Sequence, residues 1–306
     1  MSFPALINRI LSPLNLAVTR RSTLSRVSED LAAYQTKEKI WHQQHQGEIE
    51  NLRMETLRGQ ISMQWRIIDH HDDLIEPGEL LECELCGFEG NRKLFREYRS
   101  HCIFGGGKLL RHQCPECDVI FGAAKMLDLT DEQLKQEYEL HYSVYQEGDS
   151  TAQELRAFHS LNPTKDGIYL NYGAGAWSRS VSELRADGWN VFAYEPHESA
   201  AAGDHAVTSQ EQLATMKFDG IFSNNVLEHF RHPVEELKNI SGYLKPQGKM
   251  AHATPCFEYL YEYTRFHLFF FPGRSRSLLA RNAGLKVEDF VEDGEFMNII
   301  FSRTSE

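Results

Sequence analysis

The chain has 306 residues, 41% hydrophobic and 25% charged, with 32 Lys plus Arg against 44 Asp plus Glu and a formal net charge of -12. This is a globular composition, long enough for about two domains, and it excludes disordered, collagenous and fibrous classes. No run of about 18 apolar residues occurs, so no membrane-spanning helix is expected, and a chain this acidic is not expected to bind nucleic acid, where affinity comes mainly from neutralised phosphates.

The charge is uneven along the chain. Residues 1–27 carry Arg9, Arg20, Arg21 and Arg26 with no acid, a stretch of +4 that leaves -16 for the rest. Within it, Phe3, Leu6, Ile7, Ile10, Leu11 and Leu14 recur at helical spacing until Pro13 interrupts. A basic amphipathic segment of this kind fits an anionic membrane surface, a helix packed on the rest of the protein, or an Arg-rich presequence. Asn8, Arg9 and Ser12 break any signal-peptide core, so the expectation is a cytoplasmic protein with access to the inner face of the membrane.

Ser28 before Glu29 and Asp30 reads as a helix N-cap, opening a helical segment over residues 28–75. A strict heptad from Leu31 would put Glu38, His45, Glu48 and Glu55 in the seam, which argues against a clean coiled coil. The more regular stripe from Ile49 to Ile68 is expected to pack on a second subunit or on the following domain, giving residues 28–68 a possible role in oligomer formation. His70, His71, Asp72 and Asp73 read as a solvated turn.

Four of the six cysteines form two pairs, Cys83-x-x-Cys86 and Cys114-x-x-Cys117, separated by 27 residues. Two such knuckles supply four thiolates to one tetrahedral ion, so residues 76–125 are expected to form a zinc ribbon whose metal is structural, with no coordination position left for water. The competing reading, two disulfides, is disfavoured in a reducing compartment. Arg92, Lys93, Arg96, Arg99, His101, Lys108, Arg111 and His112 make this segment basic, which suits nucleic acid or an anionic substrate.

After a helical connector over residues 126–164, strands and helices alternate through residues 165–306, the pattern of a doubly wound α/β sheet. The strands are Ile168–Tyr172, Asn190–Glu195, Phe218–Phe222 and Lys249–Thr254, with helices through Val181 and Leu184 and from Val234. Gly173 and Gly175 after the first strand, and Glu195 closing the second, suit a nucleoside whose ribose meets the acid.

The ordered set Asn171-x-Gly173-x-Gly175, Glu195-Pro196, Phe218-Asp219, Val226-Leu227-Glu228-His229, Leu244-Lys-Pro-x-Gly248, Thr254-Pro255, His267-Leu268 and Ala283-Gly284-Leu285 resembles the class I S-adenosylmethionine-dependent methyltransferases. With the cysteine pairs and Leu134, Tyr138, Tyr142 and Tyr145, it is similar to a bacterial subgroup that carries a zinc ribbon in front of this domain and modifies deoxysugars and surface glycans. The resemblance implies a seven-stranded Rossmann-like sheet. It implies S-adenosylmethionine held by Asn171, Tyr172, Gly173, Gly175, Glu195, Pro196, Asn224 and Asn225, and zinc held by Cys83, Cys86, Cys114 and Cys117. The family usually has an acid at Asn171 and a third glycine at Trp177.

His229 and His267 are the candidate general bases for a sugar or glycan hydroxyl. Each also has a structural reading, in which it fastens its loop. Relatives that methylate carbon carry His-Glu-His ending at the position of His267, where this chain has Arg265-Phe266-His267, so oxygen is the expected acceptor atom. The alternatives are C-methylation of a nucleotide-linked deoxysugar, a non-catalytic adaptor in a glycan-assembly complex, and a nucleic-acid methyltransferase. Tyr259, Tyr261 and Tyr263 suit either an acceptor pocket or a half-buried strand.

Overall fold

The computed structural model describes residues 21–146, 148–175, 178–195, 205–207, 209–258 and 262–304, with side chains from residue 26 onward. Most of the basic amphipathic segment, together with Pro196, Trp177, Tyr259 and Tyr261, therefore lies outside the described residues. Two compact units are defined, one ending at Leu57 and one running from Arg58.

The first described element is the helix α1 (Arg21–Asp72). It runs through Ser28, which is therefore interior and not the expected N-cap; Arg26, Val27, Glu29 and Asp30 include no glycine or proline to stop a helix. Gly47 and Gly59 are tolerated at about 1 kcal/mol each, and a Cβ on either would meet nothing within 4 Å. In the first unit Leu31, Tyr34, Trp41, Ile49 and Leu52 are exposed. In the second, Ile61 and Trp65 are fully buried, so this part of the expected stripe packs within the following domain. Asp69 fixes the helix end by pairing with Lys125 at 2.6 Å and accepting from the Lys108 amide at 2.7 Å.

Two small antiparallel sheets follow. Strands β1 (Leu80–Glu82) and β2 (Glu89–Asn91) flank the first cysteine pair. Strands β3 (Arg96–His101), β4 (Lys108–Gln113) and β5 (Ile120–Gly122) form a meander around the second. A two-residue strand from far along the chain, Phe269–Phe270, adds antiparallel to β5 and makes this sheet four-stranded. The connector comprises α2 (Ala124–Leu127), α3 (Asp131–Tyr142), opened by a Thr130/Gln133 capping box, and α4 (Thr151–Ser160).

The remaining elements are β6 (Ile168–Tyr172), α5 (Ser180–Ala186), β7 (Asn190–Tyr194), β8 (Ala206–Val207), α6 (Gln210–Ala214), β9 (Phe218–Asn224), α7 (Pro233–Gly242), β10 (Leu244–Ala253), β11 (Phe269–Phe270), α8 (Ser275–Asn282), β12 (Leu285–Asp293) and β13 (Phe296–Arg303). Seven of the strands form one sheet in the order β12-β13-β10-β9-β6-β7-β8. Its β6 to β10 pairings are parallel, and β13 runs antiparallel to both its neighbours. This is the expected α/β architecture. Phe158 of α4 and Leu184 of α5 bury one face against Tyr169, Val191, Phe222 and Ala251. Strand β10 begins at Leu244, five residues before the expected start at Lys249, with an irregularity in its pairing to β9 between the two. The chain leaves β6 toward β7 on one side and is flanked by β9 on the other, and at such a switch point the carboxyl ends of the strands open a crevice for ligand.

Candidate functional site

A cavity of about 1070 Å³ opens at that crevice, at the upper end of the roughly 300–1,000 Å³ typical of small-molecule sites. Tyr172, Gly173, Gly175, Glu195, Asn224 and Asn225 line one end of it. Gly173 and Gly175 have φ of +74° and +58°, the left-handed region that glycine enters without strain. A Cβ on Gly173 would lie 2.5 Å from Val226 Cγ2, whereas one on Gly175 would meet nothing within 4 Å. The first glycine is thus required by packing, and the second leaves space beside the backbone. Glu195, the residue after β7, accepts at Oε2 from the Gly175 amide at 3.0 Å, so the acid holds the loop as well as lining the cavity. Asn225 takes φ of +53°, a conformation asparagine tolerates, and its amide donates to Ala253 O at 2.8 Å.

Asn171 does not face the cavity. Its side chain is fully buried, and its Nδ2 donates to Glu154 Oε2 at 2.5 Å. The same Glu154 oxygen accepts from Ser178 Oγ at 2.8 Å and Ser180 Oγ at 2.5 Å, while Ser150 Oγ donates to Oε1 at 2.5 Å. Burial raises the Glu154 pKa despite these four donors. A carboxyl group reaching across from α4 thus holds the Asn171 amide, where the sequence resemblance leads one to expect an acid on the strand itself. Glu154 belongs to no motif; its signal in the sequence is an acid within the stripe Thr151, Glu154, Ala157, Phe158 and Leu161, all of which are buried.

The other end of the cavity brings together residues far apart in sequence. His229 and His267 both line it, with ring centroids 5.0 Å apart and planes at 90°. His229 follows β9 in a single 3-10 turn, and its Nδ1 shares a 2.8 Å hydrogen bond with Tyr138 OH from α3. Tyr138 stacks on Phe266 at 4.4 Å. His141, one turn on, packs against Phe104, Tyr145 and Phe266 at 4.9 to 5.0 Å. Burial, helped by nearby Arg265, lowers the His141 pKa to about 4 and keeps the ring neutral at pH 7. Tyr263 also lines this end. Behind it, Glu228 accepts from Thr254 Oγ1 at 2.6 Å, and Cys256 Sγ lies 3.5 Å from His267 Nδ1. Arg265 is fully buried and pairs with Glu137 at 3.3 Å.

In the ribbon, the four Sγ atoms of Cys83, Cys86, Cys114 and Cys117 lie within 4.8 Å of one another, with 3.6 Å between Cys83 and Cys117 and between Cys86 and Cys114. Zinc–sulfur bonds of about 2.3 Å place tetrahedral sulfurs roughly 3.8 Å apart, so the residues fit such an ion. Without a cation, the Cys117 hydrogen bond and then burial push the Cys83 thiol pKa up, and burial pushes Cys114 up to about 12. Much of the local basic charge is already engaged: Arg99 pairs with Glu97 and Lys108 with Asp73, both at 2.6 Å. His112 is held neutral, its pKa lowered to about 4 by burial and then by Arg92.

Residues 145–290, just under half of the chain, match the family model described as a methyltransferase domain. No curated protein matches the sequence. Among solved structures, CalO1, a methyltransferase in calicheamicin biosynthesis in its SAH-bound form, is 13% identical, with 57% of this chain and 59% of that chain covered at a TM-score of 0.41. The CcbJ methyltransferase from Streptomyces caelestis is 13% identical over 54% of this chain and 95% of that one, with a TM-score of 0.40. A TehB-like SAM-dependent methyltransferase from Corynebacterium glutamicum is 19% identical over 56% and 97%, with a TM-score of 0.37. The chain thus spans about three-fifths of the length of CalO1. The family match and the strand order together define the class I S-adenosylmethionine-dependent methyltransferase fold.

Proposed function

We propose that the protein is an S-adenosylmethionine-dependent methyltransferase that acts on a hydroxyl oxygen of a sugar or surface-glycan acceptor. The observation that carries this reading is one continuous cavity with the glycine loop and Glu195 at one end and His229 and His267 at the other. When bound, S-adenosylmethionine supplies a methyl group on a sulfonium already activated for displacement. The glycine loop, Glu195, Asn224 and Asn225 would hold and orient it. His229 or His267 would accept the acceptor's hydroxyl proton as the oxygen–methyl bond forms, a contribution of roughly 10² to 10⁴ in rate. Holding the two reactants in line contributes more, about 7 to 11 kcal/mol of the barrier.

Aromatic faces suit the C–H surfaces of sugar rings, and Phe104, Tyr138, Tyr142 and Tyr145 supply them at the histidine end. Arg265 and Phe266 occupy the positions of two polar residues in carbon-methylating relatives, and their engagement with Glu137 and Tyr138 supports oxygen as the acceptor atom. The Glu154 contact gives Asn171 a structural explanation, which weakens the case for an adaptor without chemistry. Calorimetric titration tests the reading: S-adenosylmethionine should bind and NAD should not, and no binding of S-adenosylmethionine would remove it. Labelled methyl transfer into glycan extracts, and not into RNA, then separates the acceptor classes.

The four ribbon cysteines are assigned one structural zinc. Of residues 28–68, the part before Arg58 is assigned a role in self-association, supported by the exposed Leu31, Tyr34, Trp41, Ile49 and Leu52.

A further inference from the structure

The loop that carries His267 has two sides. One faces the cavity, which Tyr263, Thr264, Phe266 and His267 line. The other is turned to the cysteine ribbon, and the backbone carbonyls on it are taken by ribbon donors. Arg111 of β4, fully buried, donates from Nη1 to Glu262 O at 2.6 Å, from Nη2 to Thr264 O at 2.8 Å and His267 O at 3.0 Å, and from Nε to His267 O at 3.2 Å. Ser100 Oγ of β3 donates to Glu262 O at 2.9 Å. The Ile103 amide donates to Tyr263 O at 2.9 Å and the Gly122 amide to Leu268 O at 3.0 Å. Immediately afterwards Phe269 and Phe270 join the ribbon sheet as β11, and the Arg111 guanidinium lies 5.2 Å from the Phe270 ring centre.

We propose that Arg111 is a positioning residue for His267, and that the ribbon sheet is the template on which the acceptor wall of the cavity is built. The planar guanidinium suits this task because it presents several donors in fixed directions, so one side chain sets the spacing of three carbonyls over six residues. A carbonyl buried without a donor is costly, which makes the loop conformation depend on all these donors together. His267 gains its place over the cavity from its own carbonyl, which Arg111 grips twice. The ribbon acts on the chemistry through this loop, without touching substrate. The inference rests on the methyltransferase reading only for the role of His267; the geometry it asserts is testable without an acceptor.

The test is hydrogen exchange by mass spectrometry on the full chain, comparing wild type with Arg111→Lys, Arg111→Ala and Ser100→Ala. The lysine keeps the charge but loses the fork. Peptides covering 262–270 should exchange about ten-fold faster or more in Arg111→Ala, with an intermediate gain in Arg111→Lys, and peptides covering β6 and β9 should be unchanged. The His267 ring resonances should shift and broaden in the arginine variants while those of His252 stay put. Metal content and S-adenosylmethionine affinity should match wild type, and with an acceptor in hand kcat should fall more than KM rises. Exchange within two-fold of wild type, or acceleration spread evenly over the chain, would overturn the proposal. If neither arginine variant folds, Ser100→Ala decides it: a gain of a few-fold confined to the same peptides supports the template, and none refutes it. Failure of wild type to bind S-adenosylmethionine would count against the functional reading and leave the exchange result to stand by itself.

Discussion

At the glycine-loop end of the cavity the wall turns directly off β6, β7 and β9, and Tyr172, Gly173, Gly175, Glu195, Asn224 and Asn225 all lie within three positions of a strand end. At the histidine end, side chains from residues 104 to 267 converge, drawn from the ribbon, α3, the turn after β9 and the loop before β11. The first end needs a local sequence pattern and a sheet. The second needs the ribbon, the connector and the sheet to be assembled at once, so its geometry depends on contacts that no short motif encodes. Cofactor handling should accordingly survive damage that abolishes acceptor handling, and the following perturbations separate the two.

Metal loss should have the largest effect. We expect about one zinc per chain, and Cys83→Ser or Cys114→Ser should lose it along with the order of residues 76–125, since apparent binding energies for such sites are on the order of 10 kcal/mol or more. Metal-free protein with an unchanged melting temperature would remove the structural zinc. Next in size, His229→Ala and His267→Ala should lower turnover by roughly 10² to 10⁴ with cofactor affinity nearly intact; an unchanged rate takes that histidine out of the mechanism.

Acid should act on buried histidines in the ribbon, at the histidine end of the cavity and within the seven-stranded sheet. Burial lowers the pKa values of His112, His141 and His252 to about 4, below the ordinary 6.5. Between these values the unfolded chain binds more protons, so stability is full above about 6.5 and falls as the pH drops toward 4. For fully buried His252, bonded through Nδ1 to Ser223 Oγ at 2.7 Å, the loss is on the order of 3 kcal/mol. His252→Gln should flatten the denaturation profile in that window, and an unaltered slope would exclude His252 as a source. The smallest effects belong to the glycine loop. Gly173→Ala should cost about 1 to 2 kcal/mol from its left-handed φ, plus the Val226 clash, and weaken cofactor binding. Gly175→Ala has the φ penalty without the clash, so equal losses in the two variants would contradict the packing distinction drawn between them.

The same contrast explains what could be read from sequence. Strands β6 and β7 are apolar runs closed by Gly173 and Glu195, and these two and β9 end within two residues of where the sequence places them. The cysteine pairs meet because their spacing demands little of the rest of the fold. Both histidines reach the cavity, but the partners that set their positions, Tyr138, Cys256 and Arg111, are separated from them by up to 156 residues. Asn171 reads as a ligand contact because its usual family role is local, whereas its partner Glu154 sits on another element. Arg111 reads as part of a basic patch, since sequence cannot tell a guanidinium that meets water from one that meets three buried carbonyls.

The two residues of β11 have a consequence for how the chain acquires its shape. They complete the ribbon sheet along β5 from roughly 150 residues further on, a separation that makes loop closure slow. During synthesis the outer edge of β5 stays open until most of the seven-stranded sheet's sequence has left the ribosome. An uncovered strand edge invites pairing with other chains. The nascent ribbon is therefore the part of this protein for which a chaperone would matter most, and truncation before Phe269 should leave a fragment with the β5 edge uncovered and prone to aggregate.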